Sequence, residues 1–253
     1  MARVLLVAAH PDDETIGLGA QLCRCQELIL LHLTDGAPRD LVDARRHGFE
    51  DAASYAAARS LELDAALAAG GVIARRLSFA WADQSLSGAL FDLTRCLKAL
   101  LEEVRPQVLI THAYEGGHPD HDAAAFVGQL ASYALSPQTP PSRLEFAGYH
   151  AAGGGIHWGR FIPRPNLPVA QIVLTKVERA RKEAMLACFK TQAEVLRPVP
   201  RICERLRTAP EYDFSVPPHA GTLWYEKQDW GANGAGWCAA AQDALGRMRS
   251  EGG

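Results

Sequence analysis

The 253 residues are 48% hydrophobic and 22% charged, with a formal net charge of -3, enough for a sizeable core in one large α/β domain or two small ones. There is no basic footprint, which argues against nucleic acid as a partner. No apolar run approaches the roughly 20 residues that cross a bilayer, so no membrane partner is expected either.

The N-terminal segment holds one arginine and a short apolar stretch, then runs into charged residues without a cleavage signal. It reads as a buried strand, Val4 to Ala9, rather than a signal peptide. Further strands are expected at Leu28 to Leu33, Val72 to Phe79 and Val108 to Thr111. Helical stretches lie between them at Thr15 to Cys25, about Val42 to Ala69, and Leu86 to Val104. In the last of these, Leu90, Leu93, Leu97, Leu100, Leu101 and Val104 recur at helical spacing, and Pro106 follows where a helix should stop. Near-continuous apolar strands alternating with helices imply a Rossmann-like, three-layer α/β/α fold with a mainly parallel sheet.

The segment Ala151 to Pro168 contains Gly153-Gly154-Gly155 and reads as an irregular loop. Its Ile156, Trp158, Phe161 and Ile162 favour burial, so a lid or binding wall is expected there. Beyond it, Thr175 and Glu178 form a capping-box signature. The helix they open should turn Val177, Ala184, Met185, Cys188 and Phe189 to the core. No repeat, low-complexity tract or linker interrupts the chain, so residues 1–253 read as one domain. Six scattered cysteines fit a reducing, cytoplasmic setting. Cys23 and Cys25 lack a second pair to complete a thiolate metal site and read as structural thiols.

Two motifs carry the chemistry. His10-Pro11-Asp12-Asp13-Glu14 falls at the carboxyl end of the first strand, where ligands bind in open α/β sheets. Close carboxylates raise one another's pKa unless positive charge sits among them, and helix capping by Asp12 or Asp13 would leave His10 unexplained. Glu115-Gly116-Gly117-His118-Pro119-Asp120-His121-Asp122 follows the fourth strand, with two histidines three residues apart and a proline in a first-turn position. If the first and fourth strands are neighbours, both motifs share one site. Two histidines and a carboxylate make a catalytic zinc set with positions open to water and substrate. His10, Asp13 and His121 are the expected ligands, of Zn2+ or another divalent metal. Asp12 is the expected general base. His118 would stabilise an oxyanion or protonate a leaving amine, and Asp120 would orient a histidine by accepting its other N–H.

With these residues the chain resembles the PIG-L/LmbE-like de-N-acetylase family, whose motifs read (P/A)HPDDE and, further on, HPDH. Both stand intact here, as Ala9 to Glu14 and His118 to His121. The resemblance implies zinc ligation by His10, Asp13 and His121, Asp12 as base, and removal of an N-acyl group, in the first place N-acetyl, from an amino sugar or related small conjugate. It extends more loosely to Thr34-Asp35-Gly36, and to Arg45, Arg46 and Glu50 on a segment that would face substrate. Members often self-associate, so a homo-oligomer is allowed. Trp81, Tyr114, Trp158 and Trp224 are candidate sugar platforms, although core burial is the default for each. Pro137 to Pro141 and Ala151 to Pro168 are where substrate choice should reside. His219, in a Pro-rich turn, is a further polar candidate.

Other functions weigh less. A nucleotide-binding oxidoreductase needs G-x-G-x-x-G after the first strand, where His-Pro-Asp-Asp-Glu stands instead. A non-catalytic carbohydrate-binding protein would be favoured by loss of Asp12 or of a ligand, and none is lost. An amidase acting on a non-sugar amide stays open.

Overall fold

The computed structural model describes residues 2–135 and 140–251. A seven-stranded sheet runs in the order β3-β2-β1-β4-β5-β9-β8. Its strands are β1 (Arg3–Ala8), β2 (Glu27–Pro38), β3 (Arg75–Asp83), β4 (Val108–His112), β5 (Ser142–Phe146), β8 (Ala170–Val173) and β9 (Cys203–Thr208). The first five in spatial order are parallel, and β9 and β8 close the far edge antiparallel. A separate hairpin, β6 (Tyr149–Ala152) with β7 (Gly155–Trp158), stands off the sheet. Because β1 pairs with both β2 and β4, the chain reverses direction across the sheet at β1. That switch point is where both His-Pro-Asp motifs leave their strands.

Alternate residues of β1 face opposite layers, as the period of a strand requires. Leu5 and Val7 join a core with α4 (Leu90–Val104), α5 (Pro119–Tyr133) and α7 (Gly234–Glu251), which contribute Leu93, Leu97, Phe126 and Trp237. Val4, Leu6 and Ala8 join a second core with α1 (Asp13–Leu18), α3 (Ala52–Gly70) and α6 (Lys176–Leu186), through Ile16, Leu63 and Met185. The three layers expected from the strand–helix alternation are therefore present. In α4 the leucines at helical spacing are all buried, each worth roughly 1.5–3 kcal/mol of burial. Arg105 ends that helix in a left-handed conformation just before Pro106.

Several boundaries differ from the sequence reading. The stretch expected as one helix from Val42 is two, α2 (Val42–Arg46) and α3, interrupted at Gly48 and restarted by Asp51, which caps Ser54 N at 2.7 Å. The first helix ends at Leu18, and residues Leu22–Arg24 form a separate 3-10 turn. Gly17 lets α1 lie against β5, because a Cβ there would meet the Phe146 ring at 2.3 Å. β3 starts later than expected and continues to Asp83, which turns out to matter for the site. In α6 the capping box forms, and Met185 and Phe189 are buried, but Val177 and Ala184 face outward. The region 151–168 is not irregular throughout, since it holds the end of β6 and all of β7, turned at Gly153 and Gly154 with positive φ. Of the proline-rich segment Pro137 to Pro141, residues 137–139 lie outside the described residues.

Candidate metal centre at the switch point

The turn after β1 is held in a strained form. Asp12 has φ 145°, a region L-residues rarely adopt. Its backbone N–H donates to Glu14 Oε2 at 3.1 Å, and the same oxygen meets His32 Nε2, from β2, at 3.0 Å. Arg59, buried on α3, donates from Nη2 to Asp12 Oδ2 at 2.9 Å and to Pro11 O at 3.0 Å. Its Nη1 donates to Gly36 O at 2.6 Å, so the Thr34-Asp35-Gly36 turn is tied to the motif through Arg59. Burial pushes the Asp12 carboxyl up to about 8, against the pull of Arg59.

Asp13 opens α1 and stands at the centre of the cluster. Its Oδ2 accepts His10 N at 2.8 Å and lies 3.2 Å from His10 Nδ1, while Oδ1 lies 3.1 Å from His121 Nε2. Burial opposes its charge, yet His121 and His112 hold it well below the usual carboxylate range. His112, at the end of β4, is 3.3 Å from Asp13, but its Nε2 already accepts Ala9 N–H at 3.1 Å. Burial and the nearby His121 lower its pKa to about 4, which agrees with a neutral ring committed to that hydrogen bond.

The second motif enters from α5, which Pro119 begins. His118 caps its own helix by accepting Asp120 N at Nδ1, 3.1 Å away. With Nδ1 an acceptor, the ring proton belongs on Nε2, which stands 3.7 Å from Asp83 Oδ1. Burial and then the neighbouring His10 hold His118 well below its ordinary pKa, so it is a neutral donor. Asp120 lies against His10 and also anchors backbone. It accepts backbone N–H groups from Gln84 at 2.7 Å and Leu86 at 3.1 Å, anchoring the turn after β3, and its contact to His10 Nε2 is longer, at 3.4 Å.

Asp83, which sequence reasoning missed, completes the cluster. Its Oδ1 lies 2.8 Å from His10 Nε2, an ion-pair contact buried from solvent, and 3.7 Å from His118 Nε2. Imidazole nitrogens and carboxylate oxygens gathered this closely are the donor types that a divalent metal ion takes. Among the described residues, three sets offer one ligand atom each within 4.8 Å of one another. They are His10, His118 and His121; His10, Asp83, His118 and Asp120; and Asp13, His112 and His121. The expected trio of His10, Asp13 and His121 spans the first and third of these sets.

A cavity of about 120 Å³ opens on the cluster, with Tyr149, Trp158 and Trp230 among its walls. Trp230 packs on His118 at 4.6 Å and Tyr149 on His121 at 5.2 Å. Of the candidate sugar platforms only Trp158 lines this cavity. Tyr114 and Trp81 belong to the core, and Trp224 sits under Lys227 on a 3-10 turn. Arg45, Arg46 and Glu50 are exposed and line no part of it, nor does His219. A larger groove of about 450 Å³, at Arg3, Glu27 and Arg75, lies at the opposite end of the strands, and its arginines are already ion-paired. The cysteines are all free, and Cys23 and Cys25 join no metal-binding set among the described residues.

Fold and site together define an α/β protein with a buried His/Asp cluster able to hold a metal at the carboxyl ends of its parallel strands. The chain belongs to the PIG-L family, described as GlcNAc-PI de-N-acetylase, whose pattern residues 5–132 match. It is 31% identical over 234 residues to the 1D-myo-inositol 2-acetamido-2-deoxy-alpha-D-glucopyranoside deacetylase of Mycolicibacterium vanbaalenii, covering 77% of this chain and 82% of that protein. It is 34% identical over 188 residues to the enzyme of the same name from a Nocardioides species, covering 62% of this chain and 61% of the relative. The chain spans about three fifths of the length of this and similar relatives. In fold it is similar to teicoplanin deacetylase Orf2, solved in a zinc-inhibited form, with TM-score 0.63 and 15% identity over 83% of this chain and 99% of that one. It is also similar to the N,N'-diacetylchitobiose deacetylase of Pyrococcus horikoshii, with TM-score 0.58 and 17% identity over 83% and 84% of the two chains.

Proposed function

We propose that this protein is a metal-dependent hydrolase that removes an N-acetyl group from a small amino-sugar conjugate. The observation that carries the reading is the buried cluster of His10, Asp13, Asp83, His118 and His121 at the strand ends, beside an Asp12 held in a strained turn. Strain of this kind persists where the surrounding structure enforces it, and it clusters at active sites. His10, Asp13 and His121 are the proposed ligands of zinc, which family membership and the imidazole–carboxylate donor set both favour. When bound, the metal would make a water molecule acidic and polarise the amide carbonyl.

The remaining steps belong to the chain. Asp12, oriented by Arg59, takes a proton as water adds to the amide carbon. His118, neutral with its proton on Nε2, donates to the carbonyl oxygen as negative charge develops there. The C–N bond then breaks, the proton held by Asp12 passes to the amine, and acetate and the free amine leave. Asp120 acts at one remove, by fixing the turn that carries Asp83 and Gln84.

Residues 1–253 are proposed to form one domain, a reading supported by α7, which packs Trp237 and Cys238 into the same core as β1. Free cysteines support a cytoplasmic setting, and no helix among the described residues is long and apolar enough to cross a membrane. Amine release from N-acetylated amino sugars by the zinc-loaded protein, and its loss in Asp12→Asn, tests the function.

A further inference from the structure

The cavity over the His/Asp cluster has a carboxylate, Asp43, among its partly exposed lining residues. Resting on the deacetylase reading above, we propose that it takes an uncharged, hydroxyl-rich conjugate and turns away acidic ones, with Asp43 as the discriminating residue. Ligand sites commonly measure roughly 300–1,000 Å³, so a cavity of about 120 Å³ seats the amide end and leaves the rest of the substrate across the rim. That rim is made by Asp43 of α2 with Gln84, Gln192, Val195, Trp158 and Trp230.

Carboxyl groups outnumber bases there. Asp12, Asp13, Asp43 and Asp83 line the cavity, and Arg59 is its lining cation among the described residues. Both terminal nitrogens of Arg59 are committed, to Gly36 O, Pro11 O and Asp12. Histidines that ligate a metal are neutral and add no positive charge. A divalent ion would offset the inner carboxylates it touches, but Asp43 belongs to the rim. Arg46 forms an ion pair with Asp43 at 3.6 Å from a largely exposed position and does not itself line the cavity. A phosphate or carboxylate on the conjugate would therefore meet Asp43 inside the cavity mouth, with Arg46 engaged by Asp43 outside it. A neutral polyol meets the opposite situation. Gln192 donates through Nε2 to Tyr55 Oη at 2.8 Å and to Thr191 O at 3.1 Å, which leaves its amide oxygen to accept a hydroxyl. The faces of Trp158 and Trp230 suit the apolar side of a sugar or cyclitol ring.

The test compares amine release by the zinc-loaded protein from methyl N-acetylglucosaminide and from N-acetylglucosamine 1-phosphate. At low ionic strength kcat/KM should favour the neutral sugar by on the order of tenfold, and added salt should narrow the gap as it screens Asp43. Asp43→Asn and then Asp43→Lys should move the ratio stepwise toward the phosphate. A ratio near one or reversed in the unaltered protein, or a ratio unmoved by Asp43→Lys, overturns the proposal while leaving the deacetylase reading intact. No release from either sugar overturns the deacetylase reading and this inference with it.

Discussion

Arg59 Nη2 donates to Asp12 Oδ2 at 2.9 Å across the gap between α3 and the turn after β1, although the two residues stand 47 positions apart. The same guanidinium holds the carbonyls of Pro11 and Gly36, so one side chain fixes both the carboxylate and the strained backbone behind it. Strain such as φ 145° at Asp12 costs on the order of 1–3 kcal/mol and is kept because Arg59 and Glu14 leave the turn no alternative.

Replacing the proposed base while keeping its shape isolates its chemistry. Asp12→Asn should lower kcat by about 10²–10⁴-fold, the usual share of general base catalysis, with metal content unchanged. Single-turnover kinetics beside metal analysis checks this, and near-normal turnover would remove Asp12 from the mechanism.

His121 and His112 both approach Asp13, but His112 Nε2 already accepts Ala9 N–H, which favours His121 as the ligand. His121→Ala should therefore weaken zinc retention beyond the roughly 10–100-fold that loss of a supporting residue brings, and His112→Gln should stay within that range. Competition with a graded chelator measures both. Equal effects would contradict the ligand assignment.

Lys182 is buried, and its Nζ donates to Glu204 Oε1 and to Ile16 O, each at 2.8 Å, which pins the helix that Asp13 opens. Lys182→Met leaves Glu204 charged and unpaired, a loss of about 3–5 kcal/mol that should lower Tm by roughly 10 °C. Adding Glu204→Leu should restore much of it. A shift too small to resolve from the wild-type melting curve would mean the pair contributes little.

Glu115 and Glu145 share one cation, Arg207, at 3.1 and 2.5 Å. Burial raises Glu115 from 4.5 to about 8 although Arg207 pulls it down. A carboxyl raised in the folded state binds its proton more tightly there. Its contribution is complete below 4.5 and is lost as pH climbs through about 8. Glu115→Gln should flatten the fall of Tm across that window without abolishing it, because Glu145 is raised as well. An unchanged pH slope would show that Glu115 is not the group responsible.

Gly117 tests how closely the second motif depends on the hairpin. A Cβ there would lie 2.0 Å from the Tyr149 carbonyl oxygen, backbone that cannot swing aside. Gly117→Ala should displace the loop that carries His118 and lower kcat by roughly 10²-fold, the cost of a misplacement of about 1 Å. Normal kcat would show that the loop tolerates the shift.

What the chain reveals by itself follows from how local each signal is. The His-Pro-Asp motifs stand beside apolar strands, so their place at the sheet's switch point is readable, and β1 does pair with β4. The leucine spacing of α4 and the Thr175 box are local in the same way. Asp83, Arg59, His112 and Trp230 are single residues with no pattern around them, brought in by tertiary packing alone. Asp83 reaches His10 only because β3 runs past its apolar stretch into Trp81-Ala82-Asp83. The β6–β7 hairpin is hidden by its length, four residues to a strand, and by the glycines of its turn. For Arg45, Arg46 and Glu50 a substrate-facing segment and an exposed helix face are equally open from sequence; all three are exposed, and Asp43 is the residue of α2 that meets the cavity.

The central claim is that His10, Asp13 and His121 hold a metal on which amide hydrolysis depends. The most direct measurement is the metal content of the purified protein together with free-amine release from N-acetylated amino sugars, before and after chelation. About one zinc per chain is expected, with release that stops on chelation and returns when zinc is added. Release that survives complete removal of metal, or a protein that neither binds zinc nor releases amine once zinc is supplied, would contradict it.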